Sequence, residues 1–150
     1  MDAVFKKMNF KDHKNIVVIN APQSFETNIA AMEGLTTFAR DWAGVTETDF
    51  ILAFCTKQSE VDAVALEASK ILRGDGMLWY AYPKGTSKRY TCEFNRDNGW
   101  AVVGEQGFEP VRMVAIDEDW SALRFRKVAF IKTMTRSFAM TEEGKTKVGK

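Results

Sequence analysis

The stretch GDGMLWYAYPKGTSK, residues 74–88, predicts the main features of this fold. Gly74 supplies the left-handed residue that commonly ends a helix. The apolar run Met77–Tyr82 has the length and composition of a buried strand. Pro83 cannot continue a central ladder, so the strand stops there, and a loop rich in cations follows. The stretch therefore predicts a helix, a strand covered on both faces and an exposed loop.

A second stretch, EQGFEPVRMVAIDEDWSALRF at residues 105–125, predicts a β-hairpin. Val111–Ile116 reads as a strand, the acidic residues 117–119 as a tight turn, and Ser121–Ile131 as the returning strand. The connection is too short for a crossover, so these two strands must be antiparallel. Adjacent acids in a tight turn rarely converge on one ion, so the turn is interpreted as structural.

Strands and helices alternate before this hairpin. The predicted elements are strands at Asn15–Asn20, Leu35–Ala39 and Phe50–Thr56, a short helix that Ser24 can cap, a helix at Ser59–Leu72, and a helix from Asn95 to Glu105. This alternation predicts a three-layer α/β sandwich, with a mainly parallel sheet and a C-terminal antiparallel hairpin. Pairing each strand with its neighbour gives the order 2-1-3-4-6-5.

The 150 residues predict a single α/β domain over 1–150, with its core at about 14–132 and a charged, mobile tail at about 140–150. Residues 1–14 are interpreted as a mixed, charged lead-in. The net charge of +1 hides an asymmetry, because residues 121–150 hold eight Lys or Arg against two Glu, or +6. The first 120 residues therefore carry −5. A solvated strand and tail are favoured over a nucleic-acid contact.

The two cysteines, Cys55 and Cys92, have no C-x-x-C spacing, and Cys55 lies in an apolar run where it would pack as a small hydrophobe. No signal-peptide pattern opens the chain. No apolar run approaches the roughly 20 residues of a membrane span. A reduced, cytoplasmic protein is expected.

Three segments resemble one known family. ILRGDGMLWYAYPKGTSK, VAIDEDWSALRF and NIVVINAPQSFE are similar to the uncharacterised bacterial family named domain of unknown function 3052, over about residues 14–130. The layout also resembles a shortened class I methyltransferase fold, of reduced Rossmann-like topology. The family has no assigned activity, so the resemblance implies a fold and leaves the function open.

The chain departs from the methyltransferases after its first strand. Those enzymes have a glycine-rich loop there, which lets backbone N–H groups approach the methionine part of the cofactor. Here residues 20–24 read NAPQS, without glycine, and Pro22 removes a donor. Asp41 follows the second strand, where the fold usually places an acid on the ribose hydroxyls. S-adenosylmethionine is therefore disfavoured, and no cofactor is expected.

Ligands of open α/β sheets bind at the carboxyl ends of the strands, where the strand order reverses. The predicted ligand-binding residues at this edge are Asn20, Ser24, Asp41, Lys84, Ser87 and Lys88. The last three, with Ser24 and nearby helix N–H groups, suggest an anion site. The leading hypothesis is a non-catalytic binding or regulatory module for a small anionic ligand or a partner protein. The alternatives are an atypical S-adenosylmethionine-dependent methyltransferase and, more weakly, nucleic-acid binding through Arg124–Arg136.

Several chemistries find no support in the sequence. His13 is the only histidine, so a metal site of several histidines is excluded, and no zinc spacing occurs. Ser24 lacks the G-x-S-x-G pattern that presents a nucleophile. The four Trp and eleven Phe are assigned to the core or to the face of a homodimer. No catalytic residue is predicted.

Overall fold

The computed structural model describes residues 1–131 as a six-stranded sheet with the order β2-β1-β3-β4-β6-β5, which confirms the predicted order. The strands are β1 (Asn15–Ile19), β2 (Thr37–Ala39), β3 (Thr48–Phe54), β4 (Leu72–Pro83), β5 (Phe108–Ala115) and β6 (Trp120–Lys127). The pairs among β1 to β4 are parallel. Strand β6 pairs antiparallel with both β4 and β5. The α/β class and the C-terminal antiparallel hairpin are therefore as predicted.

Helices lie on both faces of the sheet. They are α1 (Ala3–Lys7), α2 (Glu26–Ala30), α3 (Gln58–Ile71) and α4 (Ala101–Glu105), with 3₁₀ turns at Gln23–Phe25 and Val128–Phe130. Alternate strand residues point to opposite faces, so the sheet divides the core in two. One half packs against α3 and α4 and the other against α1 and the 3₁₀ turn at Gln23–Phe25. The expected three layers result.

The hairpin turn is structural, as the sequence indicates. The Asp117 carboxylate accepts hydrogen bonds from the backbone N–H groups of Asp119 (2.8 Å) and Trp120 (2.9 Å). A short side chain that bonds its own backbone two and three residues on stabilises a tight reversal. This carboxylate is occupied in positioning Trp120 at the start of β6.

The starts of two predicted helices differ from the structure. The helix expected from Asn95 begins at Ala101, because the side-chain oxygen Oδ1 of Asn95 accepts from the backbone N–H groups of Asp97 (2.8 Å) and Asn98 (3.0 Å) and forms a turn instead. Ser24 does not cap a helix, since it lies within the 3₁₀ turn and Pro22 precedes that turn.

The apolar core extends into residues that the sequence suggested were a lead-in. Val4, Phe5, Met8 and Phe10 are buried against one face of the sheet. Asp2 caps α1 by accepting from the backbone N–H groups of Val4 and Phe5. No helix within residues 1–131 is long and apolar enough to cross a membrane. The predicted tail at 140–150 falls outside the described residues.

Candidate functional site

A cavity of about 370 Å³ opens at the carboxyl ends of β1 and β3. The chain passes from β1 to β2 on one side and then crosses to β3 on the other, so the strand order reverses between β1 and β3. Open α/β sheets bind their ligands at this position. The lining residues are Asn20, Pro22, Gln23, Phe54, Thr56, Glu60, Tyr90 and Trp120.

Asn20 makes the turn that bounds one side of the cavity. It follows β1 with φ of 58°, in the left-handed region that usually requires glycine. Asparagine is among the few residues that tolerate this conformation. Its side-chain N–H group donates to Glu60 at 3.4 Å. The chain thus turns sharply here without the glycine that sequence reasoning looked for.

Glu60 supplies the carboxylate of the cavity. It lies in the first turn of α3, and its Oε1 accepts from the backbone N–H groups of Thr56 (2.9 Å) and Lys57 (3.1 Å). These bonds close the entry to the helix in the manner of a capping box. Since backbone donors fix the carboxylate, its negative charge has a defined position at the cavity wall.

Three aromatic rings form the apolar wall. The Trp120 ring lies 5.1 Å from Phe54 and 4.8 Å from Tyr90, measured between ring centroids. Trp120 is 4% exposed, and within residues 1–131 its indole N–H has no hydrogen-bond partner. Edge-to-face and tilted contacts of this kind hold aromatic rings in a fixed arrangement. The wall is therefore built from β3, the loop after β4 and the start of β6.

Of the six predicted ligand-binding residues, Asn20 alone lines this cavity. Ser24 is exposed on the 3₁₀ turn. Asp41 is also exposed, and its carboxylate accepts from the backbone N–H of Ala43 at 3.0 Å. Neither residue is among the lining residues, and their roles stay predictions.

The loop with Lys84, Ser87 and Lys88 supports the cavity from outside. Ser87 donates to the Asp119 carboxylate at 2.8 Å and accepts from the backbone N–H of Tyr90 at 3.2 Å. The backbone N–H of Lys84 donates to the Asp119 carbonyl at 2.7 Å. These bonds tie the loop to the β5–β6 turn and place Tyr90 in the wall. Lys88 is exposed.

The cavity lining does not suit the anionic ligand that the sequence suggested. Among residues 1–131, its lining residues include the Glu60 carboxylate and no Lys, Arg or His. Sequence reasoning missed Glu60, Tyr90, Trp120 and Phe54 as site residues, because each has an ordinary structural explanation in its own segment. The signal that could have found them is the chain's topology, which brings the ends of three strands together.

Two basic side chains of strand β6 contact other residues of the domain. Arg126 forms a two-point ion pair with Asp75, at 2.6 and 2.9 Å. Lys127 donates to the Leu72 carbonyl at 2.8 Å. Arg124, on the same strand, is half-buried. The other two basic residues of the suggested nucleic-acid contact, Lys132 and Arg136, lie outside the described residues. Within residues 1–131, no group of three or more His, Cys, Asp or Glu could hold a metal ion.

The fold is that of methyltransferases, as comparison with solved structures shows. A SAM-dependent methyltransferase from Aquifex aeolicus matches 83% of this chain and 87% of its own, with a TM-score of 0.55 and 10% identity. The N-methyltransferase NodS from Bradyrhizobium japonicum matches 83% of this chain and 91% of its own, with a TM-score of 0.53 and 13% identity.

A fibrillarin pre-rRNA processing protein from Methanococcus jannaschii matches 78% of this chain and 67% of its own, with a TM-score of 0.51 and 11% identity. No protein-family model matches the chain, and no curated protein sequence is significantly similar to it.

These matches overturn the leading functional hypothesis. A non-catalytic module without a cofactor was expected from the missing glycine loop, yet the chain shares its fold with methyltransferases, one of them SAM-dependent by description. Sequence reasoning counted the absence of a glycine-rich loop after β1, through which backbone N–H groups approach the cofactor, as evidence against a cofactor site. Asn20 adopts the left-handed conformation there instead.

Proposed function

We propose that this protein is an S-adenosylmethionine-dependent methyltransferase that binds its cofactor in the cavity at the ends of β1 and β3. The observation that carries the proposal is the position of the cavity, at the point of strand reversal in a methyltransferase-like sheet. This is where the alternative hypothesis drawn from the sequence would place the cofactor. The volume of about 370 Å³ is within the range of small-molecule sites.

The residues of the cavity fit the parts of this cofactor. Phe54, Tyr90 and Trp120 provide an apolar wall against which the cofactor would lie. Glu60 offers an acceptor for the cationic end, and Asn20 offers an amide beside it. The fit is through side chains, because Pro22 leaves the loop after β1 one backbone donor short.

The chain's own contribution to the reaction is placement. When bound, the cofactor would supply a methyl group activated on a positively charged sulfur. Glu60 and Asn20 would fix the orientation of the bound molecule, and the aromatic wall would exclude water from it. Holding two reactants in a productive geometry can account for about 7–11 kcal/mol of a barrier. Asp41 stays a predicted contact to the ribose hydroxyls.

Cofactor binding is tested by thermal unfolding with S-adenosylmethionine and with S-adenosylhomocysteine. At 100 times the dissociation constant, a ligand stabilises the folded state by about 2.7 kcal/mol. For a chain of this size, the melting temperature should then rise by roughly 5–10 °C. A chain that neither compound stabilises at saturating concentration would not be a methyltransferase of this kind.

A filled cavity provides the matched control. Gln23 lines the cavity and is exposed, so Gln23→Trp should occupy the space without disturbing the core. Thr27 is exposed on the neighbouring α2 and does not line the cavity, so Thr27→Trp should leave the ligand-induced shift unchanged. Equal ligand-induced shifts of the melting temperature in the two variants would mean that the cofactor binds outside this cavity.

We also propose membership of the bacterial family named domain of unknown function 3052 and a cytoplasmic location. The first is supported by the resemblance at residues 117–125. The second is supported by the free thiols of Cys55 and Cys92.

A further inference from the structure

We propose that the cavity is a recognition site for an alkylated onium group, either a sulfonium or a methylated ammonium. The aromatic faces of Phe54, Tyr90 and Trp120 and the carboxylate of Glu60 would bind this group. The proposal rests on the proposed function only in naming the cofactor's sulfonium as one such group. It rests otherwise on the composition and charge of the cavity wall.

Charge complementarity is the first argument. The lining carries one carboxylate, and none of its eight residues is Lys, Arg or His. Within residues 1–131, Glu60 takes part in no ion pair; its oxygens contact N–H and hydroxyl donors only. A cationic ligand would therefore place against this carboxylate a full positive charge that no ion pair within residues 1–131 supplies.

The aromatic wall is the second argument. The face of an aromatic ring attracts a cation, and Trp and Tyr do so more strongly than Phe. Three rings that contact one another in sequence, with centroids 5.1 and 4.8 Å apart, line one cavity. Aromatic rings combined with a carboxylate suit methylated cations, which have no strong hydrogen-bond donor and a weakly hydrated surface.

The third argument is that the wall is held in place before any ligand arrives. Backbone N–H groups fix Glu60, and the Ser87 hydroxyl anchors the backbone of Tyr90. Trp120 begins a strand paired on both sides. A preorganised site loses less free energy in ordering its own groups, so weak cation–aromatic contacts can add up to selectivity.

The onium site predicts a preference between two related compounds. S-adenosylmethionine and S-adenosylhomocysteine differ by one methyl group and one positive charge. A site that binds the positive charge should bind S-adenosylmethionine more tightly than S-adenosylhomocysteine. Tyr90 and Glu60 would then be specificity-determining residues.

Isothermal titration of both compounds, with three variants, tests this preference. Tyr90→Leu removes the ring face and Glu60→Gln removes the charge while keeping an acceptor for Thr56 and Lys57. Each should weaken S-adenosylmethionine binding by about 2- to 30-fold, the range of single cation–aromatic contacts, and change S-adenosylhomocysteine binding by less than about twofold. Tyr90→Phe keeps an aromatic ring and should lose less affinity for S-adenosylmethionine than Tyr90→Leu.

Tetramethylammonium separates the two sources of the onium group. A preference for S-adenosylmethionine that Tyr90→Leu abolishes assigns the group to the cofactor. Equal affinity for the two adenosyl compounds, with binding of tetramethylammonium that Tyr90→Leu weakens, assigns it to a methylated amine substrate. Shifts of the Trp120 indole N–H resonance report tetramethylammonium binding directly.

Two results would overturn the proposal. One is an equal loss of both adenosyl compounds in every variant without any response to tetramethylammonium. The other is tetramethylammonium binding that Tyr90→Leu and Glu60→Gln leave intact. If neither adenosyl compound binds, the proposed function fails, and the tetramethylammonium titration alone decides whether the onium site exists.

Discussion

Two titratable groups of the core carry protons that the fold protects. Cys55, which is 1% exposed, and Tyr80, which is fully buried, lie in the same half of the core. Burial raises the pKa of the Cys55 thiol well above its usual value, and burial likewise raises the pKa of the Tyr80 hydroxyl. The Tyr80 hydroxyl donates to the Val61 carbonyl at 2.9 Å, which further favours the protonated form.

Stability should therefore fall as the solution becomes alkaline. Below pH about 8.5, the folded and the unfolded chain both keep the Cys55 proton. Above that pH the unfolded chain loses it first, so the free energy of unfolding decreases as pH rises, by up to about 1.4 kcal/mol per pH unit for each such group. Tyr80 adds the same effect above pH about 10.

Urea denaturation of the wild type and Cys55→Ala between pH 8 and 9.5 measures this effect. The variant should be less stable at pH 8 but should lose stability more slowly with pH. Parallel pH dependence of the two proteins would mean that the thiol titrates alike in both states.

Individual site residues differ in how well their role can be predicted from the sequence. Asn20 was predicted at the site because it ends a strand at the carboxyl edge, and it does line the cavity. Tyr90 could not be predicted, because it lies in a loop with no periodic pattern and reaches the wall through the bond between its backbone and Ser87.

The turn after β1 is the element that decides how the site is built. The residue there must adopt the left-handed conformation. For a residue other than Gly or Asn this conformation costs about 1–2 kcal/mol. Asn9 is the other non-glycine residue with positive φ within residues 1–131, at 67°, and it ends the α1 segment. At both positions asparagine adopts the left-handed conformation that glycine adopts most readily.

Substitution at Asn20 tests the backbone requirement. Asn20→Gly should change the free energy of unfolding by less than about 0.5 kcal/mol, since glycine adopts this conformation freely. Asn20→Ala should cost about 1 kcal/mol or more, because alanine is strained there. Chemical denaturation compares the two variants, and equal stabilities would show that the turn relaxes to an ordinary conformation.

Helix α3 was the best-predicted element. The predicted bounds are Ser59–Leu72, and the helix is Gln58–Ile71. Its apolar residues recur with the helical period, and that pattern is local. The helix predicted from Asn95 failed for the opposite reason, since one side chain bonded to nearby backbone is enough to replace its first turns.

At the scale of the whole molecule, the first ten residues complete one face of the sheet. Phe5 is fully buried and lies 5.6 Å from Phe25 and 6.3 Å from Phe50, between ring centroids. These partners are far apart in the sequence. Their contact requires the sheet to be assembled first, so no pattern within residues 1–13 could predict the burial of Phe5.

Phe5→Ala should therefore destabilise the whole domain. Removing a fully buried phenylalanine costs about 3–5 kcal/mol. Lys6→Ala, at an exposed position of the same helix, should stay within about 0.5 kcal/mol of the wild type. Thermal or urea denaturation distinguishes the two variants. If Phe5→Ala were as stable as Lys6→Ala, this segment would not be packed in the core.

The sequence by itself determined the class of the fold, the identity of most elements and the strand order. These follow from apolar periodicity and from Gly, Pro and Asp at turns, which act over a few residues. The tertiary structure alone decided the chemistry of the cavity. Asn20 meets Glu60 across 40 residues, and Tyr90 meets Trp120 across the β4–β6 pairing. Such contacts depend on how completed elements pack, and a local pattern carries no information about that.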